Sequence, residues 1–95
     1  MKDPNSMVVI VTGASSGIGD ATAREFGREG ANVVLVARRV KRLEKLAQEI
    51  ADFDTGAETL VIQADLSKLD DIQAMIDRTV ERFERIDVLV NNAGF

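Results

Sequence analysis

The chain has 95 residues, 45% of them hydrophobic and 29% charged, with a mean hydropathy of −0.02, which suits one small globular domain. It contains no cysteine and no histidine, so disulfides, zinc centres of the usual ligand set, thiol nucleophiles and Ser-His-Asp triads are excluded from it. A net charge of −4 argues against a general nucleic-acid surface, and no apolar run approaches the roughly 20 residues that cross a bilayer, so a cytoplasmic protein without a membrane partner is expected.

Residues 1–6, Met-Lys-Asp-Pro-Asn-Ser, are polar, carry the only proline and precede a second methionine. They read as a leader or frayed terminus, leaving residues 7–95 as the domain. Met7 to Val11 is an apolar run with the character of a buried strand, followed at 12–19 by Thr-Gly-Ala-Ser-Ser-Gly-Ile-Gly. A helix is predicted from Gly17 to Glu29, rich in alanine, with Phe26 facing inward and Gly30 as its stop. Val33 to Val36 forms the second strand. Leu43, Leu46, Ala47 and Ile50 then recur at helical spacing against a charged face. Leu60 to Ile62 is the third strand. Ser67, with Asp70 three residues on, resembles a capping box opening a third helix whose stripe is Ile72, Met75, Ile76, Thr79 and Phe83. Val88 to Val90 is the fourth strand, and Asn91-Asn92-Ala93-Gly94 follows it.

The strand runs are short, mostly β-branched and not alternating, as expected of parallel strands covered on both faces. Right-handed crossovers leave few topologies for this alternation. The predicted fold is a doubly wound α/β sheet in the order 3-2-1-4, with the first two helices on one face and the third on the other. The turn after strand one and the double-asparagine segment after strand four then share the carboxyl edge, where open α/β sheets bind ligands.

The glycine-rich turn is the feature that points to a ligand. Glycines let a backbone reach dihedrals and approach distances that a side chain would block, and the following helix aims N–H groups and partial positive charge at an anion. Tight packing of helix on strand is the competing reason for glycine. A nucleotide-hydrolysing phosphate loop is a poor rival, because it needs Gly-Lys-Ser/Thr where this chain has Gly17, Ile18 and Gly19.

The spacing Gly13-x-x-x-Gly17-x-Gly19, with Ala64-Asp65-Leu66 after strand three and Asn91 to Gly94 after strand four, resembles the N-terminal, cofactor-binding part of the short-chain dehydrogenase/reductase family. The resemblance covers Met7 to Phe95 and implies a partial Rossmann-type domain. It further implies that Gly13, Ser15, Ser16, Ile18 and Gly19, in the turn that includes Gly17, surround the adenosine ribose and pyrophosphate. By the same resemblance Asp65 with Leu66 meets the adenine, and Asn92, Ala93 and Gly94 line the crevice beside the cofactor. Asp65 has a second reading, as a short acceptor that organises its loop or helps cap the next helix.

The end of strand two bears on which dinucleotide is bound. A carboxylate there suits the ribose hydroxyls of NAD, whereas a cation suits the 2′-phosphate of NADP. This chain has Ala37, Arg38 and Arg39, and its next carboxylate is Glu44, inside the following helix. NADP(H) is therefore favoured over NAD, with an arginine fork on the phosphate and Ser15 or Ser16 adding a hydroxyl. The alternative is that Arg38, Arg39, Lys41 and Arg42 are a solvated helix start, which the helix dipole disfavours. A methyl-donor site is disfavoured by the missing acid.

In the family, hydride transfer relies on a serine, a tyrosine and a lysine four residues after it, all beyond the double-asparagine segment. This chain has no tyrosine, so the resemblance implies an NADP-binding part without catalytic residues, inactive alone. Strand four is expected to be an exposed edge, and self-association into a homo-oligomer through it or the third helix follows. The alternative function is a non-catalytic, self-associating Rossmann fragment with an empty cofactor site.

Overall fold

The computed structural model describes residues 7–92, so the expected leader at 1–6, and Ala93 and Gly94 of the candidate site, lie outside the described residues. The elements are β1 (Val8–Thr12), α1 (Gly17–Arg28), β2 (Asn32–Ala37), α2 (Lys41–Ala51), β3 (Thr59–Gln63), α3 (Leu69–Phe83) and β4 (Val88–Asn91). All strand pairs are parallel, in the order β3-β2-β1-β4, as the crossover rules require.

Register decides which side chains share a face. Ile10 pairs with Val34 on β2 and with Leu89 on β4, while Val9 and Val11 pair with Val33 and Leu35. Val9, Val11, Val33 and Leu35 thus pack with Leu43, Leu46 and Ile50 of α2 and Ala23 of α1. On the other face Val8, Ile10, Val34 and Val36 pack with Met75 and Phe83 of α3. Each fully buried branched side chain contributes about 1.5–3 kcal/mol, so these two layers fix the sheet between the helices.

Coverage is uneven, which corrects the expectation that every strand is covered on both faces. β1 and β2 are buried throughout, but β3 is only half-buried along most of its length and β4 alternates half-buried and exposed. The reason is arithmetic of layers: among the described residues two helices cover one face and α3 alone serves the other. Leu89, in register with Ile10 on the α3 side, stays 52% exposed.

α1 ends at Arg28, one residue before the predicted Glu29, which caps it. Gly30 has φ +89, and the N–H groups of Gly30 and Ala31 donate to the carbonyls of Gly27 and Phe26, a left-handed glycine stop. Phe26 packs half-buried on the α1/α2 core.

The predicted capping box at Ser67 does not form. The N-cap of α3 is Lys68, without a side-chain cap, and Ser67 donates both its N–H (3.0 Å) and its hydroxyl (2.7 Å) to Asp65 Oδ1. Asp65 lies two residues back and is reached without crossing the turn, so the local Asx-type bond wins. Asp71, rather than Asp70, reaches back, its Oδ2 accepting the Asp65 N–H at 2.8 Å. Among the described residues no helix is long and apolar enough to cross a membrane.

Candidate functional site

The carboxyl ends of the four strands open onto one crevice of about 1220 Å³. Its floor starts at Thr12, the last residue of β1. Thr12 Oγ1 accepts the N–H of Asn92 at 3.0 Å and lies 3.1 Å from Asn91 Oδ1, so the ends of β1 and β4 are tied side by side.

The three motif glycines do different work. Gly13 has φ +64, the left-handed region that favours glycine, and its carbonyl accepts both the N–H (3.1 Å) and the hydroxyl (2.8 Å) of Ser16. At Gly19 a Cβ would stand 2.2 Å from the Gly13 oxygen and 2.9 Å from Asn92 Nδ2, so a side chain is sterically barred by the protein itself. At Gly17 a Cβ would meet nothing within 4 Å. Ser16 is the N-cap of α1 but makes no side-chain cap, which leaves the first helical turn without that acceptor.

On the β2 side the buried Ala37 is followed by exposed Arg38 and Arg39. Among the described residues neither guanidinium has a carboxylate within 4.0 Å. The Arg38 carbonyl accepts Gln63 Nε2 at 3.0 Å, pinning the backbone where the cations emerge. After β3, the Ser67 hydroxyl and then its N–H hold the Asp65 carboxyl below its ordinary pKa, with smaller help from the charges of Lys68 and Arg38. The Asp65 side chain therefore organises its own loop. Leu66 is half-buried against the α3-side core.

Gly13, Ser15, Ser16, Gly17, Ile18, Arg38, Arg39, Asp65, Leu66 and Asn92 all line the crevice. Gly19 does not line it; it sits behind, under the Gly13 carbonyl and the Asn92 amide. Thr12, Asn91, Ser67, Ile72, Met75 and Leu89 line it too, although sequence reading did not single them out as site residues. Ile72 and Met75 belong to a helical apolar stripe whose period is the same whether it faces core or cleft.

The family model described as short chain dehydrogenase matches residues 7–95. The chain belongs to that family. It is 44% identical over 93 residues to 11-beta-hydroxysteroid dehydrogenase A of Sesamum indicum, covering 98% of this chain and 26% of that protein. Among solved structures it is similar to a metagenomic short-chain oxidoreductase in complex with NADP (46% identity, TM-score 0.85, 94% of this chain and 39% of that one). It is also similar to the NADH-dependent reductase A1-R′ complexed with NAD (35% identity, TM-score 0.84, 95% of this chain and 37% of that one). The chain thus spans about a quarter of the length of the first curated relative, and both dinucleotides occur among its structural neighbours.

Proposed function

We propose that this chain binds the adenosine and pyrophosphate end of NADP(H) and serves as the cofactor-binding part of a short-chain oxidoreductase. The observation that carries the reading is the pair Arg38 and Arg39, which line the crevice with no carboxylate within 4.0 Å among the described residues, Asp65 acting on Arg38 only at longer range, and directly follow Ala37, where an acid would serve NAD. A guanidinium with no carboxylate in contact is a ready donor to a phosphate dianion, and its five N–H groups suit bidentate contact.

The rest of the crevice fits a dinucleotide. Open space at Gly17 admits a phosphate close to the backbone, and the α1 N-terminus lacks a serine cap that would compete for its N–H groups. In this reading Gly13, Ser15, Ser16 and Ile18 surround ribose and pyrophosphate, with Gly19 packed behind them. Leu66 offers an apolar face to the adenine. Asp65 spends Oδ1 on Ser67, and its Oδ2 is the acceptor for an amino group. Asn92 lines the crevice, with Ala93 and Gly94 assigned beside it on the family pattern alone.

Bound nicotinamide supplies or accepts the hydride. These 95 residues contain no tyrosine, so the phenol acid of the family does not come from them, and they bind without turning over. A calorimetric titration with NADP⁺ and NAD⁺ tests the reading. NADP⁺ should bind tighter by about tenfold, or ~1.4 kcal/mol. Equal affinities refute the role of the arginines, and no binding of either refutes a dinucleotide site in this chain.

A second reading is favoured by the exposed edge. Among the described residues β4 has a strand neighbour only in β1, and Leu89 of β4 (52%) and Val80 of α3 (45%) are exposed. A homo-oligomer formed through β4 or α3 would cover this apolar surface.

A further inference from the structure

The hydroxyl of Ser16 is in the right place to do one thing and does another. An α-helix leaves its first N–H groups without intrahelical partners, and a serine at the N-cap ordinarily turns its oxygen onto the N–H two or three residues ahead. Ser16 has the extended backbone this requires (φ −88, ψ 163) but makes no side-chain cap. Its single hydroxyl proton goes to the Gly13 carbonyl at 2.8 Å, and its oxygen accepts from Asn92 Nδ2 at 2.9 Å.

Asn92 is held for that contact from two sides. Its N–H donates to Thr12 Oγ1 at 3.0 Å, which fixes the backbone at the end of β4. Its amide nitrogen also lies over the Cα of Gly19, where a Cβ would approach it to 2.9 Å. Glycine at 19 is therefore what lets the amide reach Ser16. The residue that withdraws the serine stands 76 positions away from it in sequence, at the end of the neighbouring strand.

A serine cap and a bound phosphate compete for the same N–H groups, those of Ile18 and Gly19 in the first turn. We propose that Asn92 is a positioning residue that draws the Ser16 hydroxyl off the α1 N-terminus and so keeps those donors open for the pyrophosphate of the dinucleotide. The proposal rests on the dinucleotide reading above. It gives the double-asparagine segment a task in cofactor binding that needs no contact with the cofactor.

The test is a double-mutant cycle on the full 95-residue chain, read by calorimetry with two ligands. One is 2′-phospho-ADP-ribose, which carries the pyrophosphate; the other is adenosine 2′-monophosphate, which does not. Asn92→Ala should weaken the first about fivefold, the worth of one serine cap, and shift the second by less than about twofold. In a Ser16→Ala background the same Asn92→Ala change should cost less than about 1.5-fold, because no hydroxyl remains to be released. Amide exchange in the unliganded chain supplies a second readout: protection of Ile18 and Gly19 should rise in Asn92→Ala as Ser16 caps them.

Equal weakening of both ligands, an additive cycle, or unchanged exchange at Ile18 and Gly19 overturns the role of Asn92. Failure of the wild-type chain to bind either ligand is a different outcome. It removes the dinucleotide site itself, and this proposal with it.

Discussion

Gly17 and Gly19 stand two residues apart in one motif, and the structure assigns them opposite responses to the same substitution. At Gly17 a Cβ meets nothing within 4 Å, and the residue is not among those with positive φ. Alanine there gains helix propensity, about 0.5 kcal/mol in a first turn, which raises the melting temperature of a domain this size by roughly 2–4 °C. At Gly19 the added carbon lands 2.2 Å from the Gly13 oxygen. That atom is backbone, held by a positive-φ residue and two bonds from Ser16, so it cannot swing aside. Overpacking of this kind costs roughly 1–3 kcal/mol; less the propensity gain, Gly19→Ala should lower stability by about 1–2 kcal/mol and the melting temperature by some 5–15 °C. Thermal unfolding followed by circular dichroism, with and without NADP⁺, separates the cases. Gly17→Ala should melt higher than wild type alone yet gain less from NADP⁺, because its methyl fills space the phosphate would use. A Gly17→Ala chain that melts lower refutes the open-space geometry, and one that keeps the full NADP⁺ shift refutes Gly17 as part of the cradle.

Replacing both Arg38 and Arg39 by alanine should bring NADP⁺ affinity down about tenfold, to the level of NAD⁺, while NAD⁺ itself moves less than about twofold; parallel losses in the two titrations would mean the cations act on something other than the 2′-phosphate. Asp87 accepts the Val8 N–H at 2.8 Å and Arg85 at 2.6 Å, and these bonds, Arg85 first, hold its carboxyl below its ordinary pKa. Its stabilisation is therefore complete above the unfolded value near about 3.9 and is lost as pH falls through the lower folded value. Asp87→Asn should unfold at lower urea than wild type at neutral pH and converge with it by about pH 2, and a gap independent of pH would rule this account out. If β4 is an association edge, light scattering should show a concentration-dependent oligomer that Leu89→Lys dissociates; a wild-type monomer at every accessible concentration ends that reading.

Much of this architecture can be read without coordinates because it depends on local pattern. Runs such as Val8 to Val11 admit few structures other than a buried strand, and right-handed crossovers in a parallel sheet leave the doubly wound 3-2-1-4 order as the best fit, which sets the two ligand-type motifs on adjacent strands. What escapes is decided by competition between partners. Ser67 and Asp70 have capping-box spacing, but spacing states only which groups can meet, and Asp65 holds Ser67 first. Thr12 reads only as the first residue of the glycine-rich turn, and its role in tying β1 to β4 escapes because its partners Asn91 and Asn92 lie 79 and 80 residues away. The glycines make the same point most sharply. In sequence Gly13, Gly17 and Gly19 are three copies of one signal, and each could be explained by packing. In the fold, Gly13 is required by its positive φ and Gly19 by the carbonyl and amide pressed against it, so neither glycine by itself implies a ligand. Gly17 alone has no neighbour within 4 Å that demands it, and its alanine variant is accordingly the most informative single change in the motif.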